Sequence, residues 1–431
     1  MKRLIGTLFT ISVLLITISS ILPMLPKGYQ STYFYWFIYV VSTFIIIKSI
    51  ELSKLYIKYE GNNLIFVKLL LIWFLISIVR GCFVASNYWE WKNLFNISFV
   101  FVLPLITFLA IDPTFVSFVT YKWLRIALPL FFLAFPFLQG DGAGRYLIPI
   151  SIILLFFPLL SKKWKIILLG FSLFVFLGDL DARSNLIKFI VPLLMSLGIY
   201  VGLYRRKKLI MLLYYIMLLL PVMLFLLGIL GVFNIFEMEK YMDATSKVIV
   251  QNGKEINMIA DTRTPLYKEV LISAIKHDYF IWGRTPAKGN ESDLFGDQIN
   301  FVTGLKNSER MSNEVCLLNI FTWTGGVGVL LYFFVFAKAA FFAVFRSKNQ
   351  YARLLGLYLL FRWCYAWVED FNNFDLSNLY LWSIVGLCYS TKFREMSSLQ
   401  VNYWVQSVFD LKYAKILREK ACNFEYQHNH S

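Results

Sequence analysis

Histidine, paired cysteine and acidic residues are scarce in this sequence, and each scarcity removes a class of chemistry. Only three of 431 residues are histidine. His428 and His430 lie near the C-terminus, and His277 stands apart from both. The five cysteines (Cys82, Cys316, Cys364, Cys388, Cys422) are scattered without a CxxC or other paired spacing. That argues against a disulfide framework and against a Cys/His metal site. No Walker-type glycine loop occurs, so ATP hydrolysis is not implied, and no cofactor is expected. Charged residues make up only 16% of the chain, too few for soluble domains of this length. The formal charge is +16, but the bases fall in alternate loops instead of one patch, so nucleic acid is not the expected partner.

What is abundant is apolar. The chain is 58% hydrophobic and 18% aromatic, with a mean hydropathy of +0.62. Its apolar runs of about 16–23 residues approach bilayer thickness, which predicts an all-α, polytopic integral membrane protein. The runs are 5–25, 32–49, 64–79, 94–111, 124–138, 146–160, 165–180, 185–204, 209–231, 315–336, 353–368 and 377–390, about twelve transmembrane helices. Lys2-Arg3 followed by apolar residues resembles a signal peptide, but no small-x-small site ends it, so it is read as an uncleaved first helix. With the N-terminus inside, the cytoplasmic segments and their flanking turns hold 25 of the 42 Lys and Arg, including Arg205-Arg206-Lys207-Lys208. This positive-inside pattern predicts both termini in the cytoplasm. It also predicts that Arg80, Arg145, Arg183, the long loop and Glu369–Asn378 share the opposite side.

Four regions follow: helices one to nine (1–233), a large outer loop (234–313), helices ten to twelve (314–395) and a cytoplasmic tail (396–431). In the tail, Val401, Trp404, Val405, Val408 and Phe409 form one helical stripe ahead of Lys412, Lys415, Arg418 and Lys420. A helix lying on an anionic leaflet has this pattern, and so does a solvated tail with incidental periodicity.

The loop is a polar island in a lipid-soluble chain. Thr264-Pro265 reads as an N-cap and first-turn proline. Leu266, Val270, Ala274 and Ile275 then recur at helical spacing, an amphipathic helix expected across the mouth of the bundle. Arg263 precedes this helix, where free N–H groups and the helix dipole favour an anion. Its bland alternative is a salt bridge to Asp261 or a solvated charge. Arg284 follows in a Gly-Arg-Thr-Pro turn, with a structural ion pair as its alternative. Arg183, at the outer start of a membrane helix, pairs with Asp179 or Asp181, snorkels, or faces a polar cavity. Arg362 falls mid-helix, where a charge normally faces a bundle interior. Glu369, Asp370 and Asp375 at the end of that helix read as a solvated loop, or as partners for an arginine or a base. Several guanidiniums on one side suit phosphate, which planar forks bind bidentately.

Over Gly178 to Leu387 the chain resembles the O-antigen polymerase and O-antigen ligase superfamily of bacterial envelope glycosyltransferases. The resemblance rests on Arg183-Ser184 opening a helix, on Arg263 before the amphipathic loop helix, and on Gly283. It continues through Asn313 and Gly325-Gly326-Val327-Gly328. It implies a multi-helix (GT-C-like) glycosyltransferase of the bacterial inner membrane that uses an undecaprenyl-pyrophosphate-linked oligosaccharide without a metal ion. Arg183 and Arg263 would stabilise the pyrophosphate leaving group, with Arg284, Arg145 and Arg362 as further substrate-binding residues. A chain-length regulator and a flippase of the same pathway would be partners. Ligases of this family carry His-Asn before the helix that follows the loop. Here the pair is Ser312-Asn313, then Glu314, which favours the polymerase and leaves Glu314 as a substitute base or a helix-start carboxylate. A ligase, or a flippase for lipid-linked glycan, is the alternative.

Overall fold

In the computed structural model the described residues are 2–57, 63–178, 183–230, 248–251, 254–257, 263–293, 295, 300–301, 304 and 308–417. They are mostly helical. The long helices are α1 (Lys2–Ile21), α2 (Thr32–Ile57), α3 (Ile65–Val84), α4 (Tyr88–Val100), α5 (Pro113–Ala134), α6 (Lys162–Gly178), α7 (Arg183–Leu197) and α8 (Lys207–Ile229). After them come α9 (Thr264–Lys276), α10 (Cys316–Phe345), α11 (Gln350–Tyr365), α12 (Leu376–Tyr389) and α13 (Ser398–Ser407). Among the described residues, seven helical stretches are long and apolar enough to cross a membrane. These are Ile5–Met24, Thr32–Ser53, Ile65–Val84, Tyr88–Ala110, Pro113–Phe137, Lys207–Leu227 and Cys316–Phe345. The apolar helices Ile148–Leu159, Ile187–Leu197 and Leu376–Tyr389 are shorter. Pro149 opens the 148–159 stretch in its first turn, and Pro158 lies inside the 3-10 helix into which it passes.

Packing centres on α10, which lies against α11, α3 and α12, while α1 lies against α2 and α5. Buried Trp323, Phe336, Trp363 and Phe374 belong to one continuous core. Outward faces of α2, α3 and α8 leave Phe37, Phe44, Ile72, Leu75, Leu212 and Met223 exposed, as helices solvated by lipid require. Chain entry into several helices is set by capping side chains. Asn87 accepts from the amides of Trp89 and Glu90, Asn349 from Ala352 and Asp375 from Asn378.

The long loop is sewn onto the bundle by backbone. Gly325 interrupts α10 with φ +69° and ψ −171°, a conformation open in practice only to glycine. The amides freed by the break are taken by loop carbonyls: Gly326 N–H donates to Phe280 O (2.8 Å) and Val327 N–H to Ile281 O (3.4 Å). Carbonyls freed on the other side accept from the Arg284 amide (to Thr322 O, 2.7 Å) and from Trp73 Nε1 (to Thr324 O, 2.9 Å). Arg80 on α3 donates to the carbonyls of Trp282 (2.6 Å) and Gly283 (3.2 Å). Asn93 on α4 donates to Pro286 O at 2.7 Å. Two small antiparallel pairs complete the loop, Val248–Gln251 with Lys254–Asn257 and Asn290–Glu291 with Glu309–Arg310.

Three expectations change. Of the loop-helix residues, Leu266, Val270 and Ala274 are buried, but Ile275 is 78% exposed. Thr264 is the first helical residue and Arg263 occupies the cap without a side-chain cap bond. The tail stripe faces protein, not a leaflet: Val401, Trp404, Val405, Val408 and Phe409 are buried. Trp404 Nε1 donates to Pro113 O (2.6 Å) and Gln406 to Leu159 O (2.7 Å). Periodicity marks a buried face without saying what buries it. Arg418 and Lys420 lie outside the described residues.

A methyl group on Gly325 would sit 2.1 Å from Ile281 O, whereas one on Gly326 meets only Phe280 O at 3.3 Å. Gly325→Ala is therefore expected to destabilise the purified protein by roughly 3 kcal/mol or more, and Gly326→Ala by far less. Thermal unfolding in detergent reads this, and equal melting of the two variants would contradict the docking geometry.

Candidate functional site

The site is built on the connection between α11 and α12. The amides at the start of α10, which have no partner within their own helix, are taken up by this connection. Cys316 N–H donates to Glu369 O (3.2 Å) and Leu317 N–H to Ala366 O (3.0 Å). Asn372 Nδ2 donates back to Cys316 O at 2.8 Å. The loop helix α9 seats on the same place. Leu266, Tyr267 and Val270 pack against Val315 and Leu318, with Phe225 and Trp367 at the edge. The Tyr267 hydroxyl donates to Trp367 O at 2.6 Å.

Arg263 thereby reaches the connection. Its Nε donates to Val368 O (3.2 Å), one terminal nitrogen donates to Glu314 (2.7 Å), and the other lies 3.8 Å from Glu369. Arg310 is the second cation on Glu314, at 3.5 Å, and stacks over the Phe295 ring at 4.1 Å. Glu369 faces a small cavity of about 50 Å³ lined also by Asp141, Arg145, Lys188, Asp370, Asp375 and Ser377. A second, inner cavity of about 10 Å³ shares Ile148, Lys188 and Ser377 with the first and is lined further by Ser151, Tyr358 and Arg362. Arg145 is held by Asp141 one turn earlier at 2.7 Å. Arg362 is only 4% exposed and stacks over Phe371 at 4.3 Å.

The structure thus gathers Arg263, Glu314, Arg145 and Arg362 around one connection. Arg284 lies elsewhere. It donates to Glu309 (2.9 Å) and Gly289 O (2.7 Å) beside the Asn290–Glu291 pair, the geometry of a structural ion pair. Arg183 begins α7, the helix that carries Lys188, but its side chain lies outside the described residues, as do Asp179, Asp181 and Asp261. Glu369, Asp370 and Asp375 line a cavity and do not form a solvated loop. Asn313 is buried, bonded to Asn290 and Asn319. The sequence signal for Lys188 is its place as a lone lysine in the apolar run 185–204.

Nothing among known proteins decides the matter. No family model, curated protein or solved structure matches this chain.

Burial shapes the acid–base character of the connection. It pushes the Asp370 carboxyl up to about 6 against the bond from the Asn372 amide, and it raises Glu369 and Asp375 as well. For Glu369, Lys188 and Arg263 oppose the rise. An Asp370 value above its ordinary 3.8 means that the ionised carboxylate is disfavoured in the folded protein. That destabilisation is fully present above pH 6 and is relieved as pH falls through the window toward 3.8. Asp370→Asn, which keeps an acceptor for the Asn372 amide, should raise the melting temperature near neutral pH, and the gain should vanish by about pH 4. Melting curves across that range check it. A gain independent of pH would mean that Asp370 is not strained by ionisation.

Proposed function

We propose that the protein is a membrane glycosyltransferase that polymerises lipid-linked oligosaccharide repeat units. It would move glycan from a polyprenyl-pyrophosphate carrier to an acceptor repeat on the outer face of a bacterial cytoplasmic membrane. The observation that carries the reading is the position of Arg263. A helix docked on the bundle holds its guanidinium at the rim of a polar cavity lined by Arg145, Lys188 and Glu369. In this reading the bundle crosses the membrane twelve times in a GT-C-like arrangement, both termini are cytoplasmic, and the loop is outside.

The chemistry follows from charge. The bond between the sugar's anomeric carbon and the pyrophosphate oxygen breaks, and the electron pair leaves on pyrophosphate. Arg263, with Arg183 and Arg145, stabilises that developing charge in a site partly withdrawn from water. The acceptor hydroxyl oxygen forms the new bond to the anomeric carbon, and its proton passes to a carboxylate. Glu369 suits this role better than Glu314. Glu314 is bound by both Arg263 and Arg310, whereas Glu369 faces the cavity and burial favours its protonated form. A ligase would use the same groups with a lipid-core acceptor. The flippase reading draws on Lys188 and Arg362, charges inside the bundle that a translocation path would also need.

Arg263→Ala and Arg183→Ala are each expected to lower chain extension at least about 100-fold, the scale of losing one transition-state donor, while the protein remains in the membrane. Surface glycan from cells carrying each variant, resolved on a gel, reads this. A full ladder from both variants would contradict the site.

A further inference from the structure

The loop strip 280–286 meets the bundle well below the helix ends. The residues that bond to it, Arg80, Asn93, Thr322, Gly326 and Val327, lie inside stretches long and apolar enough to cross a membrane: Ile65–Val84, Tyr88–Ala110 and Cys316–Phe345. The Trp282 ring lies 5.3 Å from the Trp73 ring, and the Phe280 ring 5.2 Å from Phe321. Trp73 is about 16 Å from the loop-side end of α3, at about 1.5 Å per residue. A loop lying over the bundle in water would meet helix ends instead.

What surrounds the strip follows from its side chains and its backbone. Phe280, Ile281 and Trp282 are each more than half exposed, and so are Ile272 and Ile275 on α9. Apolar side chains gathered at a surface in this way mark an interface with lipid or protein. They continue the outward face of α3, because Trp73 and Arg80, which the strip meets, share a helical stripe with exposed Ile76 and Phe83. The backbone carbonyls of 280–283 and of Pro286 all accept hydrogen bonds. Their donors are the amides of Gly326 and Val327, both terminal nitrogens of Arg80, and Asn93. A non-helical segment at membrane depth needs its backbone satisfied within the protein in this way. Arg80 is a charge inside an apolar helix, and the carbonyls of Trp282 and Gly283 take the place of its water. On α9, exposed Lys268 and Lys276 flank Ile272 and Ile275, the pattern of a helix at a membrane interface.

We propose that this part of the loop is a re-entrant membrane anchor. Phe280, Ile281 and Trp282, with Ile272 and Ile275, contact phospholipid acyl chains of the leaflet on the loop's side, while Lys268 and Lys276 reach its headgroups. The loop is then held from two faces, by the backbone of the bundle and by lipid. Nothing in this anchor depends on glycosyl transfer.

The test is nitroxide accessibility in the full-length protein, reconstituted in nanodiscs of phosphatidylethanolamine and phosphatidylglycerol. Cys82→Ser, Cys364→Ser and Cys422→Ser are made first, and the Cys316 and Cys388 thiols that remain are buried. Ile281→Cys, Ile275→Cys, Leu75→Cys and Lys412→Cys then carry the label one at a time. Leu75, on the outward face of α3, is the lipid reference, and exposed Lys412 is the water reference. Dissolved oxygen concentrates among acyl chains and a nickel chelate in water, so the ratio of their collision rates reads the surroundings. The ratio at 281 and 275 is expected to approach that at 75 and to stand several-fold above that at 412. A ratio at both positions equal to that at 412 would place the strip in water. Weak collision with both reagents would place it against protein, a second copy of this chain included. Either result overturns the proposal. Ile275→Cys, at the more exposed position, keeps the test decisive if Ile281→Cys does not fold.

Discussion

Everything at the loop-bearing end of this protein depends on a broken helix whose backbone has to be satisfied. Inside an apolar bundle, freed amides and carbonyls have no water to turn to. At Gly325 the partners are the backbone of residues 280, 281 and 284, and glycine at 325 permits the close approach. The loop is therefore part of the helix it crosses, not a tether lying over it. With residues 280–284 fixed there, and with Arg80 and Asn93 gripping the same strip, α9 has little choice of where to lie. Its apolar face covers the start of α10, and Arg263 arrives at the connection between α11 and α12.

That connection is where charge collects in a chain that otherwise avoids it. Cations come from Arg145, Lys188, Arg263 and Arg362, and carboxylates from Asp141, Glu314, Glu369, Asp370 and Asp375. The outer cavity carries both signs, with Arg145 and Lys188 beside its four carboxylates. The inner cavity has no carboxylate in its lining. Burial favours the protonated forms of Glu369, Asp370 and Asp375.

Much of this was legible in sequence, for reasons that differ by residue. The predicted apolar runs fall on helical segments among the described residues, because length and hydropathy are local properties; 146–160 breaks into short pieces, and seven stretches are long and apolar enough to span a membrane. The loop helix announced itself through Thr264-Pro265 and its period. Arg263 is marked by its place just before that helix. The inward stripe of the tail was readable, but its partner was not: Trp404 finds Pro113 across a tertiary distance that no local pattern encodes. Arg284 looked like a ligand group because its turn is distinctive, yet its partner Glu309 lies 25 residues on in a segment without periodic signal. Glu369 and Asp375 read as solvated because acidic residues between helices usually are. Only the packing of α7 beside them reveals a cavity, with Lys188 on its wall.

The most direct measurement is turnover by the purified protein in liposomes supplied only with a lipid-linked repeat unit. The account predicts a ladder of extended lipid-linked glycan with release of polyprenyl pyrophosphate, and no ladder with Arg263→Ala. Donor that crosses the bilayer unextended, with no new glycosidic bond formed, would contradict it.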